Sequence, residues 1–364
     1  MELHLTSEQT LLRDSAAKFI MSAGPKVARG FRAQEQSFSP ARLQQAAELG
    51  WLGMLVPSDA GGLGLGLTEL ALVLEQAGQG LLCEPIGLAA ISAAALAQGR
   101  TPHAMLERVM SGAALVVPAL QESAHGDDPL APRTQAMGEG GALRLTGQKM
   151  FVCADGAEGF LVSASDHDGP TLCYVARNAP GCTLATTPTV EGRKLATLSL
   201  ADTPADLVAP HSSSRNAVDA LYNLALMALS CELLGVMEKA HEVTLDYLRI
   251  RKQFGKLIGS FQALQHQAVN SYIRIEALRS LIFQIAADSD ALSIDPAMAA
   301  AAKAKASEDA LTVTQACIQL HGAIGFTDEH DIGLYLKRAM LLSSLLGNPA
   351  AQRRRYAALA DLTA

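Results

Sequence analysis

Two segments of the chain combine residues that could bind a planar or phosphorylated ligand. The first, residues 249–266, reads RIRKQFGKLIGSFQALQH and places a group of cations before a Gly-x-x-x-Gly turn. Within it, Arg251 could hold a pyrophosphate through two parallel hydrogen bonds, which a lysine cannot form. The second, residues 319–331, reads QLHGAIGFTDEHD, and its small residues Gly322 and Ala323 would let such a ligand approach the backbone closely. Each segment by itself indicates only a corner of a helical bundle.

Other motifs that resemble chemical sites have structural explanations. The run GGLGLG at residues 61–66 lies between predicted helices, so it lacks the strand–turn–helix context of a dinucleotide-binding fingerprint. His241 begins a pattern like that of a zinc-protease helix, but Leu245 stands where the second His is needed, so no metal site is predicted. The acidic run TDEHD at 327–331 is predicted to cap a helix, and RRR at 353–355 is predicted to be a solvated terminus.

Composition and charge narrow the class of protein. Hydrophobic residues make up 49% of the chain and charged residues 18%, a composition that excludes a disordered chain. The length of 364 residues indicates more than one domain. Acidic residues number 36 against 29 Lys and Arg, so nucleic acid is not an expected partner. The longest apolar run, residues 86–97, is too short to cross a bilayer, and residues 1–4 show no signal-peptide character. Six cysteines without a C-x-x-C pair predict a reduced, cytoplasmic protein.

The order of helical and β-rich stretches predicts three domains. Residues 1–112 are typical of helices, with capping signals at Thr6 and Ser39. Residues 113–208 contain short β-rich runs separated by turns, which indicate a small antiparallel β domain. Residues 209–364 return to helices, and four long helices with short joints favour an antiparallel bundle. The predicted strands are 115–120, 143–152, 160–165, 171–176 and 195–200, and the predicted bundle helices are 215–251, 261–287, 296–320 and 332–346.

Taken together, the two segments resemble the acyl-CoA dehydrogenase family, and the resemblance covers nearly the whole chain. The stretches R-K-Q-F-G…G-S-F-Q-A-L-Q-H from residue 251 and Q-L-H-G-x-x-G-F-T-x-E-x-D from residue 319 are highly specific for this family. The stretches E-L-G-W-L-G from residue 48 and L-T-G-Q-K-M-F-V from residue 145 agree with it. The resemblance implies an N-terminal α-helical domain, a middle antiparallel β-barrel domain and a C-terminal four-helix bundle.

The resemblance also implies a chemistry and a cofactor. Family members oxidise acyl-CoA thioesters to 2-enoyl-CoA with FAD: a carboxylate takes the α-proton while the β-hydrogen leaves as hydride, and the electrons pass to an electron-transfer flavoprotein. The FAD lies across a subunit interface, and we place the two segments that contact its adenosine diphosphate half at opposite ends of the bundle. The cofactor-binding residues implied are Arg251, Gln253, Phe254, Phe261, Gln262, Gln319, Gly322 and Ala323, with Phe151 and Cys153 beside the flavin ring.

The family's catalytic base is absent from both of its usual positions. One position follows the last bundle helix and holds Leu346, and the other lies on the first long helix and holds Ala225. Neither side chain can accept a proton. Glu232 lies on the same helix face as Ala225 but ~10 Å farther along the axis, and a bundle partner would explain its charge. Glu232 is therefore the weaker hypothesis for the base.

The preferred hypothesis is that this chain completes the FAD site of a heteromeric acyl-CoA dehydrogenase, while a homologous subunit supplies the glutamate. The ending G-N-P-A-A-Q-R-R-R-Y from residue 347 is similar to that of short subunits, including the small subunits of pimeloyl-CoA and steroid side-chain dehydrogenases. Two alternatives stay open. One is a self-sufficient homo-oligomeric enzyme that uses Glu232, and the other is a binding relative that has lost its flavin.

Overall fold

The structure, a computed structural model, describes residues 5–22, 24–32, 34, 36–99, 103–139, 142–289 and 293–360. Residues 1–4, on which the predicted absence of a signal peptide rests, lie outside this set. Within the described residues, helices precede and follow a β-barrel, so the predicted fold class is confirmed. Helices end at Met110 and resume at His211, and the domain boundaries placed at 112 and 208 stay predictions.

In the described part of the N-terminal region there are six α-helices, and two of them begin with the predicted caps. Thr6 Oγ1 accepts a hydrogen bond from Gln9 N, and Gln9 Oε1 accepts one from Thr6 N, which completes a capping box. Ser39 Oγ accepts from Arg42 N, and Pro40 begins the helix that follows. The helices are α1 (Ser7–Met21), α2 (Gly24–Phe31), α3 (Pro40–Glu48), α4 (Leu67–Gln79), α5 (Ile86–Leu96) and α6 (Leu106–Met110).

The glycine run before α4 is a turn, in agreement with its structural interpretation. A Cβ atom on Gly62 would lie 2.2 Å from the carbonyl oxygen of Val56, and Gly61 and Gly64 have φ angles of 86° and 61°. Glycine is needed here because the chain folds closely onto itself.

Among the described residues of the middle region, seven strands form the barrel sheet. They are β1 (Val116–Ala119), β2 (Gln135–Glu139), β3 (Ala142–Val152), β4 (Gly159–Asp166), β5 (Gly169–Ala176), β6 (Cys182–Pro188) and β7 (Lys194–Leu207). Five of them close a ring in the order β4–β2–β3–β7–β5 and back to β4, while β1 pairs with β4 and β6 pairs with β7.

The predicted β domain differs from the observed one in three respects. Most strand pairs are antiparallel, as predicted, but β4 runs parallel to β1 and to β2. A long connection separates β1 from β4, and only connections of this kind permit parallel pairing. The sequence also missed β2 and β6, since β2 reads QAMGE without a β-branched residue and most of β6 is exposed.

The C-terminal region, as far as the structure describes it, consists of five α-helices and a small hairpin. The helices are α7 (His211–Ile250), α8 (Gln262–Asp288), α9 (Pro296–His321), α10 (Ile332–Ser344) and α11 (Pro349–Leu359), and the hairpin pairs β8 (Lys252–Gln253) with β9 (Lys256–Leu257). The first four helices form the predicted bundle. Helix α10 ends two residues earlier than predicted because Leu346 adopts a left-handed conformation with φ of 56°. Helix α11 was not predicted.

The terminal arginine run contradicts its interpretation as a purely solvated terminus. It lies on α11, where Arg353 pairs with Glu308 and Arg355 Nη2 lies 3.3 Å from Asp219 Oδ1. The Arg355 guanidinium also stacks over the ring of Tyr222, 4.9 Å from its centroid. These contacts attach α11 to α7 and α9.

Helix α7 is the one described helix that is long and apolar enough to cross a membrane, and 89% of its most apolar window is buried inside the protein. It packs against α9, α8 and α10 of the bundle and very closely against α4. A Cβ atom on Gly235 would lie 1.8 Å from the Glu75 carbonyl oxygen, and one on Gly78 would lie 2.0 Å from the Glu232 carbonyl oxygen. The apolar composition of α7 therefore reflects its place in the core.

A lysine lies in the core of the bundle without a nearby carboxylate among its described contacts. Lys303 of α9 is fully buried, and its Nζ donates to Ser307 Oγ at 2.9 Å and to the Ser343 carbonyl at 3.4 Å. Burial lowers the pKa of Lys303 to about 7. The folded protein thus opposes the charged form of this side chain.

Replacing Lys303 with Met should raise the free energy of unfolding, by a few kcal/mol below pH 7. The unfolded chain binds the lysine proton more tightly than the folded one does. The buried charge therefore lowers the free energy of unfolding by its full amount below pH 7. This destabilisation decreases as the pH rises toward 10.5. Urea unfolding at pH 6 and pH 9 should show a larger gain at pH 6, whereas Lys305→Met, which removes a lysine paired with Asp309, should show no gain. Equal gains at both pH values would contradict this account.

Candidate functional site

A cavity lies where the N-terminal helices, the barrel and the bundle meet. It contains about 1250 Å³ of space free of protein atoms, part of it open to solvent. Helix α4 and the loop into α5 form one wall, the ends of β1, β3 and β7 form another, and α7 and α10 form the third. The apolar lining includes Leu74, Ala77, Leu82, Ile86, Leu120, Ala228, Leu229, Leu341, Leu342 and Leu345.

The cavity brings together five residues that the sequence singled out. Phe151 and Cys153, predicted to lie beside a flavin ring, line it together with Ala225, Glu232 and Leu346. Phe151 lies within an irregularity of β3 between Lys149 and Val152 and has a φ of 55°, a conformation uncommon for a residue with a side chain. Burial raises the pKa of the Cys153 thiol. The aromatic and thiol groups give this wall the apolar surface that a planar ring system requires.

The backbone at Leu346 is fixed by hydrogen bonds from two regions. Leu346 N donates to Gln121 Oε1 at 2.8 Å, and its carbonyl oxygen accepts from the Tyr222 hydroxyl at 3.0 Å and from Gln352 Nε2 at 2.5 Å. Gln121 in turn accepts a hydrogen bond from Met150 N through its own carbonyl. One of the two usual base positions is thus held rigidly at the cavity wall, with a leucine side chain.

Three carboxylates line the cavity, and each already has a partner. Glu84 Oε1 lies 3.5 Å from Arg42 Nε, and Asp155 Oδ2 accepts from Ser37 N at 2.5 Å. Glu232 Oε1 accepts from Arg338 Nη1 at 2.6 Å. This last contact supports the sequence-based interpretation that a bundle partner neutralises Glu232.

Arg338 is the centre of a buried charge network that the sequence analysis did not identify. It is fully buried, its Nε donates to Glu191, and its two Nη atoms donate to the carbonyl oxygens of Leu82 at 3.0 Å and Leu81 at 3.2 Å. Burial alone would raise the pKa of Glu191, but the charges of Arg193 and Arg338 hold it below its usual range. The signal was present in the helical spacing, since Arg338 shares the apolar face of α10.

The predicted nucleotide-binding residues lie far from this cavity, at the end of the bundle where α7 ends. Arg251, Gln253 and Phe254 are exposed on the hairpin, and Phe254 is 91% exposed with a φ of 53°. Arg251 forms no ion pair among the described residues, whereas the nearby Arg249 pairs with Asp246 at 2.9 Å. Phe261 and Gln262 follow the hairpin at the start of α8.

The second segment lies at the same end of the bundle, so the placement of the two segments at opposite ends was wrong. Leu248 of α7, Ile258 after the hairpin and Leu320 of α9 pack in one hydrophobic cluster. The antiparallel course of α8 brings the end of α9 back to the end of α7. Gln319 and Ala323 are exposed there, and Gly322 has a φ of 65° with open space where a Cβ atom would stand.

The acidic run after this turn leads into α10 at the predicted position, and its aspartates also form ion pairs. Asp331 occupies the N-cap position but makes no side-chain capping bond, and its Oδ1 accepts from Arg29 Nε at 2.9 Å. Asp328 pairs with Arg29 and Arg32. His330 Nδ1 accepts from Ile332 N at 3.1 Å, so the run begins α10 as predicted, although its carboxylates pair with arginines and not with the helix backbone. These pairs fix the second segment to the N-terminal region.

Comparisons with known proteins agree with these features. The acyl-CoA dehydrogenase N-terminal domain model matches residues 6–99, and the C-terminal domain model matches residues 217–360. A structure described as a Tcur3481-Tcur3483 steroid ACAD variant is 32% identical with a TM-score of 0.91, covering 98% of each chain. The ChsE4-ChsE5 complex from Mycobacterium tuberculosis is 26% identical with a TM-score of 0.87 over the whole of both chains. Acyl-CoA dehydrogenase IpdE2 from Mycolicibacterium smegmatis is 27% identical over 97% of this chain and 99% of its own.

Proposed function

Because the chain belongs to the acyl-CoA dehydrogenase family, a family of flavin-dependent oxidoreductases, we propose that it is the FAD-completing subunit of a heteromeric enzyme. A homologous subunit would supply the glutamate that takes the α-proton. Electron-transfer flavoprotein is the proposed acceptor, and a cytoplasmic location stays a prediction. Two relatives with similar folds are complexes of two named proteins, which supports a partner of the same family.

The observation that carries this proposal is the state of the cavity. Both usual base positions, Ala225 and Leu346, face it without a proton acceptor. The three carboxylates on its wall are each engaged by a cation or a backbone N–H. General-base catalysis needs a carboxylate within reach of the substrate proton, and the described residues that line the cavity offer none without a partner.

The positions of the flavin-binding residues support the division of labour between subunits. Ala225 at the cavity and Arg251 at the bundle end are separated by 26 residues of α7, roughly 39 Å along a helix. One dinucleotide would therefore not contact both regions of the same chain. The productive site would combine the cavity of the partner with the bundle end of this chain, where Arg251 would hold the pyrophosphate and Gly322 would allow close approach of the nucleotide.

Each part of the chain then has a role that its chemistry allows. A bound flavin would supply the hydride acceptor. Arg251 would neutralise phosphate charge with paired N–H donors, and the exposed Phe254 would cover an apolar surface of the partner. The hairpin and the turn at Gly322 would be ordered by these contacts.

A self-sufficient enzyme is the second candidate, because Glu232 does line the cavity. Its ion pair with the fully buried Arg338 opposes this function, since accepting a substrate proton would discharge Glu232 and leave part of the Arg338 charge uncompensated. A Glu232→Gln substitution separates the two candidates.

The proposal is tested by expressing the chain alone and together with a base-carrying homologous subunit. We expect turnover of an acyl-CoA with an artificial electron acceptor only in the co-expressed complex, and we expect Glu232→Gln in this chain to leave that turnover intact. Removing a general base costs roughly 100- to 10,000-fold, so the two outcomes are well separated. Turnover by the chain alone that Glu232→Gln abolishes would overturn the proposal. A complex without flavin absorbance would favour a binding relative.

A further inference from the structure

The cavity of this chain keeps a polar group that none of its neighbours satisfies. Arg193, at the tip between β6 and β7, lines the cavity, and its Nη2 atom is buried without a hydrogen-bond partner among the described residues. Its Nε donates to Glu191 Oε2 at 3.1 Å. A buried guanidinium N–H without an acceptor costs free energy, so such a group calls for a ligand or water.

The protein carboxylates near Arg193 are not available to fill this gap. Glu191 accepts hydrogen bonds from both Arg193 and Arg338, and Glu232 accepts from Arg338. Two cations and two carboxylates already balance one another. The missing group is therefore an acceptor oxygen, and it need not bring a negative charge.

The rest of the lining defines the body of the ligand. Apolar side chains dominate the walls, and the small residues Ala77, Ala225 and Ala228 leave space beside α4 and α7. Ala225 and Glu232 are seven residues apart on α7, so the cavity extends about 10 Å along this helix. That length accommodates a chain of several carbons between the empty base position and the polar end.

We propose that this cavity binds an acyl ligand without oxidising it. Arg193 Nη2 would donate a hydrogen bond to an oxygen at the buried end of the ligand. The ligand would be an apolar chain ended by an oxygen, either a free carboxylic acid or the oxygen-bearing tail of an acyl-CoA. Because each carboxylate among the described lining residues already has a partner, the bound chain keeps its α-proton. This inference rests on the proposed function, since it assumes that oxidation takes place in the partner's cavity.

The test measures binding to the purified chain and to its complex, by isothermal titration and by thermal shift. The probes are octanoate, suberyl-CoA and octanoyl-CoA, of which the last lacks an oxygen at the far end. We expect octanoate or suberyl-CoA to bind roughly 10- to 100-fold more tightly than octanoyl-CoA. Tighter binding of octanoate would identify a free carboxylic acid as the ligand, and tighter binding of suberyl-CoA would identify the tail of an acyl-CoA. Arg193→Met should remove this preference, and Arg193→Lys should restore part of it.

The control is Arg108→Met, which removes an Arg–Glu pair on α6 outside the cavity lining. It should leave all three affinities unchanged. Equal affinity for the three probes, or a preference that survives in Arg193→Met, would overturn the inference. So would bleaching of flavin by suberyl-CoA in the chain alone, because the cavity would then be catalytic. Turnover by the co-expressed complex is measured separately, so failure of the ligand site and failure of the proposed function are distinguishable.

Discussion

Arg251→Met should strip FAD from the complex of this chain with a base-carrying subunit. Arg251 is exposed at the end of α7, forms no ion pair among the described residues and carries a fork of N–H donors suited to a pyrophosphate. Each charge-assisted hydrogen bond is worth roughly 1.5–3 kcal/mol, so the loss of a bidentate contact should weaken FAD binding by ~100-fold or more. Flavin absorbance per complex, measured after dialysis, reports this loss.

Arg249→Met is the matched control, because Arg249 lies two residues earlier on the same helix end. Its guanidinium is engaged by Asp246, and both side chains are largely exposed. Surface pairs of this kind contribute about 0–1 kcal/mol, so flavin content and stability should stay unchanged. Equal retention of FAD by the two variants would show that the bundle end does not bind the cofactor.

The sequence predicted the elements whose signals are local. The capping box at Thr6, the start of α9 after Asp295 and the long helix α7 all follow from neighbouring residues, because caps and helical periodicity are set within one or two turns. The parallel course of β4 depends on distant pairing partners, and β6, although it pairs with the adjacent β7, is mostly exposed and lacks a clear apolar face. Such pairings leave little trace in a single segment.

In the candidate site, too, local features were predicted and contacts between distant residues were not. Motif residues such as Arg251 and Gly322 were identified from their own segments, but their position at one end of the bundle required the packing of Leu248 against Leu320. The network around Arg338 of α10 reaches the turn between β6 and β7 and reaches α7, through partners more than 100 positions from Arg338. A single sequence shows only a charged residue on an apolar helix face, and it does not show which carboxylates meet it.

Replacing Arg338 with Met should destabilise the protein by roughly 3–5 kcal/mol, the largest stability effect we expect from one substitution. The variant would leave Glu191, which is itself buried, without its main partner from α10. It would also orphan the carbonyl oxygens of Leu81 and Leu82, which Arg338 now satisfies. Urea unfolding at pH 7 measures the loss.

Arg353→Met serves as the control, since Arg353 pairs with Glu308 on the surface and both side chains are more than half exposed. Its loss should change the free energy of unfolding by no more than about 1 kcal/mol. The contrast follows from desolvation, because the buried carboxylates near Arg338 cannot recover hydration when the arginine is removed, whereas Glu308 can. At acidic pH the stability losses of the two variants should become more similar. Protonation of Glu191 below its depressed pKa removes the charge that Arg338 compensates, in the parent protein as well. Similar losses in the two variants would mean that water reaches the network and that the cavity wall at Glu232 is not a dry, preassembled surface.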